Sequence, residues 1–288
     1  MMLASDWRDY AVLDTGDGEK LERWGETLLA RPDPQVLWPK MRPEEWDAAH
    51  ARYTRSGEGG GAWDMRTTLP ERWQIGYGDL RFWVRPTGFK HTGLFPEQAV
   101  NWDWMGGMVR RTVQAGSSVK ALNLFGYTGG ATLALAAAGA SVAHVDAAKG
   151  MVAWARENAA LSGLEDKPVR WIVDDAMAFV AREGRRGNRY DAIVMDPPSY
   201  GRGPDGSVWK LEREIWPLVK ACAALLSEEP VFFLINAYTT GLAPSVLSNL
   251  LTMAIGRGEA TADEIGLPIT SGGVLPCGAS GRWTLCHE

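Results

Sequence analysis

The most chemically loaded stretch of the chain is a glycine turn followed twenty residues later by an acid. Leu124-Phe125-Gly126-Tyr127-Thr128-Gly129-Gly130 lies between an apolar run that reads as a strand and one that reads as a helix. Glycines here let the backbone turn sharply and approach a ligand, while the free N–H groups of the coming helix offer a seat for a carboxylate or phosphate. Asp146 closes the next predicted strand. A carboxylate in that position accepts both hydroxyl hydrogens of a ribose, a charged contact of about 1.5–3 kcal/mol. The pair points to an adenosine-containing ligand, held by Phe125, Gly126, Thr128 and Gly129 on one strand tip and by Asp146 with Ala147 on the next.

The glycine spacing narrows the ligand. A dinucleotide site needs G-x-G-x-x-G to seat a pyrophosphate, whereas this loop reads G-x-x-G-G with Tyr127 in the second glycine's place. The chain's G-x-G-x-x-A string, Gly57 to Ala62, has no helix after it and reads as a surface loop, and no G-x-x-x-x-G-K-[ST] occurs. S-adenosylmethionine, a nucleoside without a pyrophosphate, fits: its amino-acid end over Gly126 to Gly129, its ribose on Asp146. A tight strand-to-helix turn beside a solvated acid is the competing reading of the same residues.

Two further strand ends carry acids. Val173-Asp174-Asp175-Ala176 places a carboxylate where an adenine amino group would donate; we assign Asp175 to that role and leave Asp174 as a helix N-cap. The next strand runs DAIVM into Asp196-Pro197-Pro198-Ser199-Tyr200. Two prolines supply no N–H, so the chain must leave the sheet there with its carbonyls turned out. Asp196, Pro197 and Tyr200 are the candidate catalytic residues, facing whatever accepts a methyl group.

These loops need a scaffold. From residue 96 strands and helices alternate: helix from Pro96, strand 119–125, helix 129–138, strand 141–146, helix 149–162, strand 169–175, helix 176–183, strand 190–196, helix 208–227, strand 231–237, helix 243–255 and a closing pair of strands. Such alternation predicts an α/β, Rossmann-like, mostly parallel seven-stranded sheet with ligands beyond the carboxyl ends of its strands. Residues 1–88 read differently, as a small antiparallel β-rich domain with hairpin turns at Asp17-Gly18 and Gly78-Asp79 and one helix from Pro43 to about Ala51. The expected division is therefore 1–88 and 89–288.

Composition excludes other classes. With 288 residues, 45% of them apolar, a sizeable core is available. Thirty basic residues against 35 acidic give a net charge of −5, not the field of a protein that neutralises phosphates unaided. Three cysteines, Cys222, Cys277 and Cys286, have neither metal-ligand spacing nor an even count, and the start carries Asp6 and Asp9. A reduced cytoplasmic setting without membrane or metal is expected. Fourteen tryptophans are read mainly as packing residues.

Taken in order, HTGLFPEQ (91–98), NLFGYTGG, HVD, the DDA strand end, DPPSY and LPCGASGRW (275–283) resemble class I S-adenosylmethionine-dependent methyltransferases, more narrowly the large-subunit ribosomal RNA methyltransferase-like group. The resemblance covers about residues 85–288. It implies a methyltransferase acting on RNA, with Phe95 and Gln98 lining the cofactor pocket beside the Gly126, Asp146, Asp175 and Asp196 loops. Phe95 as a hydrophobic staple for the helix after it is the alternative. Members that methylate C5 of cytosine attack C6 with a cysteine; here Ser199 follows the prolines and Ile235-Asn236-Ala237-Tyr238 follows the fifth strand, so a base nitrogen is the expected acceptor. Cys222 reads as core. The cluster Arg182, Arg185, Arg186 and Arg189 reads as a solvated turn at the opposite ends of the strands, and Arg110 and Arg111 as complements of a helix dipole. A small-molecule or protein acceptor, favoured by the acidic balance, and a nucleoside-binding protein without turnover remain open on the sequence alone.

Overall fold

The computed structural model describes residues 1–56, 60–202, 208–239 and 241–285. The chain divides into two compact units, Met1–Val100 with Ile265–Cys277, and Asn101–Glu264 with Gly278 onward. The division thus falls about a dozen residues beyond the expected 88/89, and a late segment returns to the first unit.

The first unit contains β1 (Met2–Leu3), β2 (Tyr10–Gly16), β3 (Glu19–Trp24), β4 (Thr27–Pro32), β5 (Ala51–Arg55), β6 (Gly61–Met65), β7 (Trp73–Tyr77) and β8 (Leu80–Val84). Strands β2 to β6 form one sheet in chain order and β7–β8 a separate hairpin. Asp17-Gly18 turns with both residues at positive φ, 53° and 77°, as a two-residue hairpin demands. The expectation of an antiparallel domain needs one correction: β4 and β5 pair in parallel, Leu29 opposite Ala51. The connection 33–50 is long enough to bring the chain back to the same end. It holds a single 3₁₀ turn, Pro43–Ala48, in place of the predicted helix. Trp46 spends its indole N–H on Asp14, 2.8 Å away, and packs its ring on Leu21 and Ala30.

The second unit carries most of α1 (Ala99–Gln114), then β9 (Lys120–Leu124), α2 (Gly130–Ala137), β10 (Ser141–Asp146), α3 (Lys149–Leu161), β11 (Val169–Val173), α4 (Ala176–Arg185) and β12 (Ala192–Met195). A short hairpin of β13 (Tyr200–Arg202) and β14 (Val208–Lys210) precedes α5 (Leu211–Ala223), β15 (Phe232–Ala237) and α6 (Pro244–Ile255). Last come β16 (Glu259–Pro268) and β17 (Val274–Thr284), strands that begin in one unit and end in the other. The strand order β16-β17-β15-β12-β9-β10-β11 reverses direction of growth at β9, and β1 pairs in parallel with the end of β16 inside the first unit. Strands β9 to β12 and β15 run parallel, while β17 is antiparallel to β15. The predicted Rossmann-like sheet of seven strands is present, with the two-residue β1 as an eighth.

Every residue of β12 and β15 is buried, the pattern of central strands covered on both faces. Their core includes Leu122, Val145, Phe179, Ile193, Phe233 and Trp283, each worth roughly 1.5–3 kcal/mol of burial. Cys222 belongs to this core as the sequence indicates, and burial pushes its thiol pKa up. Residues 208–210 read in sequence as the opening turn of a helix. The structure instead pairs them with Tyr200–Arg202 in the β13–β14 hairpin, and the helix begins only at Leu211.

Candidate active site

Strand β9 ends at Leu124 and the chain turns over the five residues 125–129 before α2. Phe125 and Tyr127 take positive φ, 56° and 49°, a left-handed conformation costing of order 1–2 kcal/mol for a residue with a side chain. Hydrogen bonds hold it there. Gly126 donates its N–H to Val145 (3.0 Å), Tyr127 its N–H to Asp146 Oδ2 (2.9 Å), and Asn158 its amide to the Thr128 carbonyl (2.9 Å). Gly129, at φ 93°, caps α2. The glycine at 126 has a cause the sequence hides: a Cβ there would lie 2.4 Å from the His144 ring. His144 sits on β10 within a chain of buried contacts, Asn123 Nδ2 to Thr132 Oγ1 and Thr132 Oγ1 to His144 Nδ1, each 2.8 Å. Thr132 Oγ1 accepts from Asn123 and shares one hydrogen with His144 Nδ1, either atom being able to donate it. Burial lowers the His144 pKa to about 4, so the ring is neutral.

Asp146 closes β10 half-buried. Its Oδ1 accepts the Ala148 N–H at 2.8 Å and its Oδ2 accepts that of Tyr127. Burial raises its pKa and these two bonds oppose the rise. A carboxylate offers about four lone-pair directions. Two are used, so a vicinal diol can still donate to Asp146, and the donor set fits the ribose of a nucleoside. Ala147 beside it is exposed and leaves that edge open.

At the tip of β11 the helix cap assigned to Asp174 falls to its neighbour. Asp175, not Asp174, is the N-cap of α4, its Oδ1 accepting from Ala178 N at 2.8 Å. Asp174 instead ion-pairs with Arg182, whose side chain reaches back along the helix. Arg182 and Arg185 therefore stand in the last turn of α4 and not on the turn after it, while Arg186 pairs with Glu183 at 3.3 Å. Asp175 is exposed, and its second oxygen lies outside the cap.

Strand β12 ends at Met195, and Asp196-Pro197-Pro198 departs from the sheet as the prolines require. The Pro198 carbonyl accepts the Trp209 indole N–H at 2.6 Å, and Trp209 in turn faces the Phe125 ring at 5.4 Å. Ser199 and Thr239 share a hydroxyl contact of 2.7 Å, tying the loop after β12 to the chain after β15. Tyr200, 52% exposed, opens the hairpin. The tips of β9, β10, β11 and β12 lie side by side by their parallel registers, so Gly126, Asp146, Asp175 and Asp196 share the carboxyl edge of one sheet. Sequence reasoning missed the parts that brace this edge: His144, Asn158, Thr239 and the Trp209 hairpin. Only the buried asparagine in an otherwise apolar helix face, Asn158, left a readable signal.

Phe95 and Gln98 lie in the first unit. Phe95 precedes a 3₁₀ turn, Pro96–Gln98, with its ring 5.5 Å from His91, and Gln98 is buried. Their part in the cofactor pocket rests on the resemblance. Cys286 and Gly57, the first residue of the G-x-G-x-x-A string, lie outside the described residues.

A family model described as S-adenosylmethionine-dependent methyltransferase matches residues 50–226. A crystal structure of a SAM-dependent methyltransferase from Agrobacterium tumefaciens superposes with a TM-score of 0.92 at 38% identity, over 97% of this chain and 91% of that one. Among curated proteins, the ribosomal RNA large subunit methyltransferase K/L of Chromohalobacter salexigens is 30% identical over 67% of this chain and 25% of its own length. The ribosomal RNA large subunit methyltransferase K of Neisseria meningitidis is 27% identical over 82% of this chain and 67% of its own. The chain spans about a quarter or less of the K/L relatives. No helix among the described residues is long and apolar enough to cross a membrane. Four acid- or glycine-bearing tips on one parallel sheet, joined to a model match over more than half of the sequence, place the chain in the S-adenosylmethionine-dependent methyltransferase family.

Proposed function

We propose that the chain methylates RNA at a base nitrogen, in the cytoplasm where ribosomal RNA is found. The observation that carries the choice of RNA is the named activity of its curated relatives, ribosomal RNA methyltransferases K/L and K. The choice of nitrogen rests on thiol placement. Cys222 is buried in α5 with its pKa pushed up, and the residue after the prolines is Ser199, so the described part of the second unit offers no thiolate for attack on a pyrimidine ring.

In this reading the Gly126–Gly129 turn takes the amino-acid end of S-adenosylmethionine, Asp146 its ribose and Asp175 its adenine, with Phe125, Thr128 and Ala147 completing the pocket. Bound there, the sulfonium supplies an already activated methyl group. The chain's own residues then have an aligning task. Asp196 and the Pro197 carbonyl accept the hydrogens of an amino nitrogen and turn its lone pair to the donor, and Tyr200 stacks on the acceptor ring. Alignment of this kind can supply up to roughly 7–11 kcal/mol of the barrier.

The test is transfer of labelled methyl from S-adenosylmethionine to RNA depleted of modification, run beside a protein extract. Ribonuclease-sensitive label that migrates as an N-methylated nucleoside is expected; label confined to the protein fraction refutes the proposal. The net charge of −5 favours a second reading, a small-molecule or protein acceptor, which the same assay decides.

A further inference from the structure

In the first unit, the loop between β8 and the 3₁₀ turn holds a large apolar ring in water. Phe89 is 65% exposed. The loop beneath it is built: Trp63 on β6 donates its indole N–H to the carbonyls of Thr87 (2.8 Å) and Phe89 (3.2 Å). The Thr87 hydroxyl bonds the His91 carbonyl at 2.9 Å, and its oxygen takes the Phe89 N–H at 3.3 Å. Trp63 is set by an edge contact with Tyr53, 5.4 Å between rings. An anchored loop that presents an aromatic ring to solvent forgoes the burial free energy of that ring.

The residue after Phe89 sets the charge. Lys90 lies among Lys20, Arg31 and Arg55; burial and then these cations lower its pKa to about 8, against the pull of Asp33. Among the described residues, Asp33 pairs with Lys20 at 3.3 Å and Glu22 with Arg31 at 2.6 Å, and Glu97 also acts on Arg31. Positive potential is therefore left over beside an exposed ring. Strand β6, which carries Trp63, is the outer strand of its sheet, and Arg55 on the strand beside it is exposed.

We propose that Phe89, Lys90 and Arg55 form a contact surface for an unpaired stretch of RNA, Phe89 stacking on a base and the two cations meeting phosphates. A polyanion complements the surplus charge, and an unstacked base complements a single exposed ring. The inference rests on RNA being the acceptor.

Phe89→Ala and Lys90→Ala, made in the full chain, test it by anisotropy with a fluorescein-labelled unpaired RNA of about 12 nucleotides. Loss of the ring is expected to weaken binding roughly 5- to 150-fold, as one base–aromatic stack does. Loss of the ammonium is expected to reduce the slope of log K against log salt by about 0.7. Thermal melting and calorimetric uptake of S-adenosylmethionine, both unchanged, show that the variants are folded. RNA binding by both variants equal to wild type, while wild type still methylates RNA, overturns this surface alone. Methyl transfer by wild type to protein and not to RNA overturns the RNA reading and the surface with it.

Discussion

The imidazole of His144 occupies the space that a side chain at residue 126 would need, with Cε1 only 2.4 Å from a Cβ built on Gly126. The turn after β9 is thus fitted to the strand beside it. Gly126→Ala should destabilise the chain by about 1–3 kcal/mol through overpacking, and weaken uptake of S-adenosylmethionine at least tenfold. In a His144→Ala background the same change should cost clearly less. Urea melts of the four members of this cycle measure the coupling; strict additivity would show that the two residues do not compete for one space.

The same histidine predicts how the second unit responds to acid. His144 is fully buried and its pKa falls from 6.5 to about 4. Below pH 6.5 the unfolded chain binds a proton that the folded chain refuses, so stability is full above 6.5 and declines as pH drops to about 4. The loss totals about 3 kcal/mol. His144→Gln should flatten that window. Stability followed by denaturant titration at several pH values between 7 and 4 checks it, and identical profiles for wild type and variant would contradict it.

In the first unit the responsible group is Glu22. Burial raises its pKa, but the Arg31 and Lys20 charges and the bonds from Arg31 and Tyr10 outweigh burial and bring it from 4.5 to about 2. This depressed carboxylate stabilises the unit above pH 4.5, and the contribution disappears as pH falls toward 2. Near-ultraviolet signals of Trp24, whose ring lies 5.2 Å from the Arg31 guanidinium, should persist to below pH 4. Glu22→Gln should remove that resistance and destabilise even at pH 7, because it leaves Arg31 buried without its charge partner.

The legible and illegible parts of the structure divide along physical lines. Strand β10 is legible over its full length because SVAHVD is apolar, short and bounded by turn residues, and α3 because its apolar positions recur at helical spacing. The tips at Gly126, Asp146 and Asp196 are legible because glycine, an acid after a strand and paired prolines each constrain the backbone locally. The cap at Asp175 is not, since either side chain can cap a helix and Asp174 pairs with Arg182 instead. Nor is the parallel pairing of β4 and β5, which depends on the path of residues 33–50 and not on either strand's composition. The clash between residue 126 and His144 joins residues eighteen apart through the register of two strands, information that no local pattern holds.

Asp146 has two tasks, and they separate by substitution. It pins the Tyr127 and Ala148 amides in the folded chain and, in the proposed pocket, accepts from the ribose. Asp146→Asn keeps one acceptor oxygen and the shape but gives up the charge. Calorimetry should show S-adenosylmethionine affinity reduced roughly 10- to 100-fold, the scale of one hydrogen bond to a charged group. The product without the methyl group carries the same ribose and should lose the same factor. A variant that binds both as wild type does would remove Asp146 from the ribose site.

The hydroxyl contact between Ser199 and Thr239 separates alignment from binding. It joins the loop after β12 to the chain after β15 at 2.7 Å, and neither residue is assigned to the cofactor. With the contact gone, the Asp196–Tyr200 segment keeps its proline-fixed departure from the sheet and the Trp209 bond at Pro198, but loses its tie to the neighbouring loop. Ser199→Ala should therefore leave S-adenosylmethionine affinity within about twofold of wild type and lower kcat for methyl transfer roughly tenfold, since small misplacements of aligned groups cost rate steeply. Thr239→Val should reproduce the effect, and the double variant should be no worse than either single one, because both remove the same contact. Steady-state kinetics on the RNA acceptor beside calorimetry on the cofactor gives both numbers. A fall in cofactor affinity that matches the fall in kcat would show that the pair supports the fold of the whole site and not the placement of the acceptor.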